Sequence, residues 1–195
     1  MKEQSVTGRT NRREMLKLSG MGVLGGVAAA GLTSNAQAAL EPINISYASW
    51  IHGHSMQIEY PDRIAYQRRT GMSFDIEGKP GTDNWFHFAI PTPVIINDVR
   101  LQVDSVLLCF WTGSIDAFVQ HVHVYDGRYR IAEFNDINLS TDQPSVRLTL
   151  PGAPLMLQGL GISLGVGFGV EMMNHNMEFY SAGCDFVIRP SVPEQ

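Results

Sequence analysis

Long apolar runs are missing from this chain of 195 residues. The longest, Leu18 to Leu32, covers about 15 residues, short of the ~20 that cross a bilayer as a helix, so no permanent membrane span is expected. Basic charge is also scarce. Of 14 Lys and Arg against 19 Asp and Glu, five basic residues (Lys2, Arg9, Arg12, Arg13, Lys17) and two acidic ones (Glu3, Glu14) fall in the first 38 positions. The remainder carries nine against seventeen, a net charge of −8. Such a field repels phosphate backbones and anionic membranes, which excludes nucleic acid as a partner and leaves cations, metal ions and neutral ligands open. Cysteine is limited to Cys109 and Cys184, both in apolar, strand-like segments. They read either as two small buried side chains or as one bridge formed in an oxidising compartment, and sequence spacing does not decide between these. No long amphipathic helix, phosphate-cradling loop or complete acid/base pair is present, so no catalytic residue is assigned.

What is there begins at the N-terminus. Thr10-Asn11-Arg12-Arg13-Glu14-Met15-Leu16-Lys17 resembles the twin-arginine signal pattern, with Arg12 and Arg13 as its pair. An uncharged Gly/Ala-rich run follows, and Ala36-Gln37-Ala38 has the small-x-small form of a signal-peptidase site, which puts cleavage after Ala38. The resemblance implies passage of a folded cargo through the twin-arginine export machinery to a periplasmic or extracellular destination. Residues 1–38 are then the signal peptide and residues 39–195 one domain, long enough to bury roughly 70% of the surface its unfolded chain exposes.

In that domain, short β-branched and aromatic runs alternate with Gly, Pro, Asn and Asp, the pattern of an all-β fold. Strands are expected at Met56–Tyr60, Ile64–Gln67, Ser73–Ile76, Asn84–Ile90, Val99–Trp111, Asp116–Tyr125, Tyr129–Phe134, Ser145–Leu150, Gly159–Met172 and Met177–Ile188. Gly78-Lys79-Pro80-Gly81, Pro91-Thr92-Pro93, Asp126-Gly127 and Pro151-Gly152 supply turns, and Ala182-Gly183 a turn or a bulge. The expected architecture is a single two-sheet β-sandwich, jelly-roll-like. In the segment Gly159 to Met172, glycine recurs at 159, 161, 165, 167 and 169 with Ser163 among them, so at period two one face is almost bare. Glycine in a strand is costly, about 0.5–1 kcal/mol each relative to Ala. Something must approach this face closely: an aromatic from the opposite sheet, which is the favoured expectation, another subunit, or a ligand.

Histidine carries the main candidate chemistry. His52/His54 and His121/His123 form two His-x-His pairs, and in an extended strand residues two apart share a face, so each pair is a candidate ligand set for a transition metal ion. His87 and His175 are candidate further ligands, the latter near the thioethers of Met172, Met173 and Met177. His121-Val122-His123 resembles the opening of the first cupin motif. The Glu that motif requires is replaced by Gly127 or Arg128, Glu133 lies too far along, and nothing before His175 resembles the second motif, so the assignment is not carried over. Gly161-Ile162-Ser163-Leu164-Gly165 matches the nucleophile-elbow pattern, whose serine needs a strand-to-helix turn; no helix-like segment follows, so the match is not read as catalytic. Trp50, Trp85 and Tyr125 are candidates for stacking on sugar rings.

The segments Trp85 to Val94, His123 to Gly127 and Ser181 to Phe186 resemble an uncharacterised bacterial all-β family of unknown function. The resemblance implies the fold and no activity. The function expected from all this is an exported, non-catalytic binding or assembly module. The alternatives are a metal-binding protein or small metalloenzyme built on the His-x-His pairs, and a carbohydrate-binding module. Expected partners are the export machinery and either a glycan or a second copy of the chain.

Overall fold

Alternation decides which sheet face is wet. In the strand Ala117–Asp126 (β9), Ala117, Val119, Val122 and Val124 are buried while Phe118, His121, His123 and Tyr125 remain partly accessible. The extra residue near Gln120 is a bulge that keeps both halves in phase. In this computed structural model, which describes residues 44–171 and 173–188, the same logic builds two antiparallel sheets facing each other as a sandwich.

The first sheet runs Asp142–Thr149 (β11), Gln102–Thr112 (β8), Asn176–Val187 (β13), Phe74–Gly78 (β4) and Ile64–Arg69 (β3). The strand Ile45–His52 (β1) pairs with the C-terminal part of β13, beyond the reach of β4. The second sheet runs Tyr129–Leu139 (β10), β9, Leu160–Phe168 (β12), Thr82–Ile90 (β5) and Gln57–Ile58 (β2). Ile95–Ile96 (β6) and Val99–Arg100 (β7) make a small separate hairpin.

Between the sheets, Phe74, Phe110, Phe179 and Phe186 meet Phe86 and Phe88, all essentially inaccessible. The Phe179 ring lies 4.9 Å from Phe86 and 6.3 Å from Phe88, in the tilted and edge-on geometries that aromatic quadrupoles favour. Gly53, in the single 3-10 turn after β1, lies so close to the backbone of β13 that a Cβ there would meet the Phe179 carbonyl oxygen at 1.8 Å. Two acids tie down loops. Asp126 accepts backbone N–H bonds from Leu157, Gln158 and Gly159. Asp116 accepts from buried His175 at 2.7 Å and from the Glu171 N–H.

Each of the ten expected strands has an observed counterpart, with altered bounds. Val99–Trp111 divides into β7 and β8 at Leu101; Gly159–Met172 shortens to β12; Ala182-Gly183 is continuous strand, with the bulges of β13 falling on either side of it. The strands β1 and β6 were not expected from sequence. Cys109 and Cys184 are not disulfide-bonded. Cys184 points into the core and Cys109 to the opposite face of its sheet, with Ser181 rather than Cys184 as its register partner, so the bridge is sterically unavailable. Arg12, Arg13 and the cleavage position after Ala38 lie outside the described residues. Among those described, no helix is long and apolar enough to cross a membrane.

Candidate functional site

The glycine face of β12 points outward from the sandwich, not toward the opposite sheet. This corrects the favoured sequence expectation: the inward positions Leu160, Ile162, Leu164 and Val166 pack on the core, while Gly161, Ser163, Gly165 and Gly167 form the floor of a trough on the second sheet's outer face. What approaches the glycines comes from neighbouring strands. A Cβ on Gly165 would lie 3.1 Å from Cη2 of Trp85 (β5) and 3.1 Å from Cβ of His121 (β9), and one on Gly167 would lie 2.8 Å from the Phe118 ring. Trp85 thus crosses the trough and stacks on the far wall. Its ring is 6.1 Å from His121, at 16°, and 4.9 Å from His123.

The trough is bare at one end. A Cβ on Gly161 would meet nothing nearer than Tyr125 Cβ at 3.9 Å, and one on Gly159 would meet nothing within 4 Å. There a groove of about 390 Å³ is lined by His87, Ala89, Gly127, Gly159, Gly161 and Ser163. Beyond the Trp85 crossing, a wider depression of about 640 Å³ is lined by Arg63, Thr82, Asp83, Phe118, Gln120 and Gly167, with Arg63 and Asp83 forming an ion pair.

Strand register produces a transverse polar row at the open groove. His87 of β5 pairs with Ser163 of β12, which pairs with His123 of β9, which pairs with Glu133 of β10. Glu59, just after β2, completes it: its N–H donates to the Trp85 carbonyl, and its carboxylate lies 2.9 Å from Nε2 of His87. The other ring nitrogen, Nδ1, lies 2.9 Å from Ser163 Oγ. The Tyr60 hydroxyl first, with the His87 ring and Arg63 helping, holds the Glu59 carboxyl below its ordinary value against the opposing effect of burial.

The two sequence-selected histidine pairs lie apart, His121 and His123 on β9 of the second sheet and His52 and His54 at and just after the end of β1 in the first. His121 and His123 do share a face, with rings 6.2 Å apart. His123 Nε2 donates to Asn135 Oδ1 at 3.2 Å, and His121 Nδ1 is buried with no hydrogen-bond partner among the described residues. His52 ends β1, whereas His54 sits in the following 3-10 turn, so the extended-strand argument does not apply to that pair. Their rings are 4.1 Å apart because the His54 N–H donates to His52 Nδ1, and His54 Nε2 donates to the Thr70 carbonyl. His175 is committed to Asp116. Among the described residues, no group of three or more His, Cys, Asp or Glu is arranged to hold a metal ion. Of the aromatic candidates, Trp85 and Tyr125 share the trough, while Trp50 lies on the other sheet over Gly183.

His87 and Glu59 were missed as a unit. His87 was considered only as a metal ligand, and nothing in the sequence marks Glu59 as its partner, 28 positions away. The one available signal was Ser163 in its glycine-flanked pattern.

The architecture is that of a β-sandwich with a glycine-floored trough on one outer face. Within that class, the chain belongs to a family of unknown function (DUF6623), whose model matches residues 45–186. No curated protein matches the sequence. Among solved structures, the xylan-binding module CBM86 from Roseburia intestinalis is similar at 10% identity, over 72% of this chain and 96% of that one, with a TM-score of 0.45. A Stig cyclase from Fischerella sp. TAU is similar at 14% identity, over 77% and 93%, with a TM-score of 0.36. CBM35 from Paenibacillus barcinonensis gives 11%, 73%, 98% and 0.33. Likenesses this distant transfer no residue and no ligand.

Proposed function

We propose that the protein is an exported binding module that takes a neutral glycan in the bare end of the β12 trough. The observation carrying this reading is the uncovered glycine floor at Gly159 and Gly161, with Tyr125 beside it and the His87–Ser163–Glu59 row at its edge. A sugar ring needs a flat surface for its C–H face and polar groups at its rim for its hydroxyls. The floor and the row supply these side by side. A net charge of −8 beyond residue 38 disfavours uronate-rich or sulfated chains.

The test is affinity electrophoresis of the purified protein in gels containing neutral, cationic or anionic polysaccharides. Retardation is expected in a neutral polymer and is lost in Gly161→Leu, which has room to fold but fills the floor. Equal mobility in every gel overturns the reading, and a dimer by light scattering then favours assembly with a second copy.

One observation supports a different ligand, a transition metal ion at His121 and His123: the partnerless buried Nδ1 of His121. Near one ion per chain by elemental mass spectrometry, lost in His121→Ala with His123→Ala, would establish it over the glycan. His52 and His54 would be the next pair to substitute.

A further inference from the structure

We propose that Ser163 is a nucleophile, with His87 as its base and Glu59 as the residue that positions the base, and that it cleaves small acyl esters presented in the open end of the trough. This goes beyond the binding reading and does not depend on it.

With a neutral imidazole, the hydrogen-bond chain has one consistent proton arrangement. An ionised carboxylate can only accept, so the His87 nitrogen facing Glu59, Nε2, carries the proton. That leaves the Nδ1 lone pair to accept the Ser163 O–H at 2.9 Å. Nucleophile, base and orienting carboxylate are thereby connected in the sequence of roles that serine acyl transfer uses. The ring is turned relative to the arrangement in serine proteases, where the base nitrogen is Nε2. Either imidazole nitrogen serves as a base; strand placement decides which one faces the serine. Ser163 and His87 are register partners on adjacent strands, so the ladder itself holds their side chains together.

A surface hydrogen-bond network alone would not require the space beside it. Here the groove of about 390 Å³ is lined by both Ser163 and His87, and the missing side chain at Gly161 leaves room for an acyl group beside Oγ. His87 and Glu59 are 38% and 39% exposed, accessible to a ligand yet fixed by their partners.

The chemistry balances with water alone. Ser163 Oγ bonds to the ester carbonyl carbon while its proton passes to His87 Nδ1. The carbonyl carbon–alkoxy oxygen bond then breaks, and the departing alkoxide takes that proton. Water, deprotonated by His87, releases the acid from the acyl-serine and restores Ser163. Because β12 is paired on both sides, its backbone N–H groups lie in ladders, and His123, whose Nε2 proton goes to Asn135, offers no free donor, so the oxyanion has no preformed cradle. Losing an oxyanion donor lowers turnover by about 10²–10³. The expected enzyme is therefore slow, and covalent labelling is the sharper readout.

The experiment is to incubate the purified protein with a small fluorophosphonate, map the adduct by mass spectrometry, and follow 4-nitrophenyl acetate hydrolysis in parallel. A single adduct on Ser163 is expected. Ser163→Ala should abolish it with an unchanged melting temperature, and His87→Gln should slow it roughly 100-fold. Glu59→Gln should slow both reactions, and Glu59→Asp should recover part of the rate by restoring a carboxylate. No adduct on Ser163, or an equal labelling rate in His87→Gln, overturns the proposal; if Ser163→Ala fails to fold, the His87 and Glu59 variants still decide it. A protein retained by glycans yet unlabelled overturns this proposal alone, and one labelled but never retained overturns only the binding reading.

Discussion

Trp85 of β5 lies over Gly165 of β12 and reaches His121 of β9, its ring nearly parallel to the imidazole at 6.1 Å. Two strands that are not hydrogen-bonded to each other are thus linked across the one between them, and only an absent side chain permits the crossing. Replacing Gly165 tests this directly. Its Cβ would press on both rings at 3.1 Å, and the branches of Gly165→Val would push Trp85 off the histidine. The expected outcome is a changed near-ultraviolet circular dichroism spectrum with a stability loss of about 1 kcal/mol, typical of overpacking.

Gly53 faces backbone rather than a mobile ring. A Cβ there meets the Phe179 carbonyl oxygen at 1.8 Å, and neither the 3-10 turn nor β13 can yield without losing hydrogen bonds. Gly53→Ala should lower stability by about 3 kcal/mol in denaturant unfolding. Gly71→Ala, where nothing lies within 4 Å, should stay within about 0.5 kcal/mol of the parent.

Cys184 should resist alkylation until the protein unfolds. Its sulfur is in the core, and burial, helped by the neighbouring Asp185, pushes the thiol well above its usual range. Intact mass after air oxidation should retain both thiol hydrogens, since Cys109 and Cys184 project from opposite faces of the sheet. A mass lower by two hydrogens would contradict that placement.

Tyr180 should be the late titrator. Burial first, then its hydrogen bond to Glu178 at 2.7 Å, pushes its hydroxyl from 10.0 up to about 12. A raised folded-state value means that its contribution to stability is complete below about pH 10 and is lost as pH rises through 12. Tyr180→Phe should remove the last phenolate step in an absorbance titration and flatten the fall in urea midpoint over that window.

Much of the fold was legible because period-two alternation is a local property. Asp126-Gly127 predicted the β9–β10 hairpin, and Gly127 does take the left-handed conformation, with φ of +57°. The strand expected at Val99–Trp111 located the first sheet's long strand, though not its break at Leu101. The strand β1 was missed because it is exposed along most of its length and shows no clean apolar face; β13, far along the chain, holds it in place.

The site was legible only in fragments. His121 and His123 were recognised as sharing a face, and the glycine face of β12 as needing close company, but the source of that company was misjudged. Local sequence reports which residues alternate, not which alternate set faces water, and in β12 the glycines took the outer face because Leu160, Ile162, Leu164 and Val166 had core to fill.

By itself the sequence determined an all-β domain, its acidic charge, most of its strands, and the face shared by His121 and His123. Those follow from side-chain period, composition and turn chemistry, which act within a few residues. Tertiary structure alone decided that β5, β12 and β9 lie side by side, bringing Trp85 over Gly165 and Glu59, His87 and Ser163 into one hydrogen-bonded row. Strand order and register are set by which surfaces must pack together across the whole chain, and no short stretch of sequence encodes that.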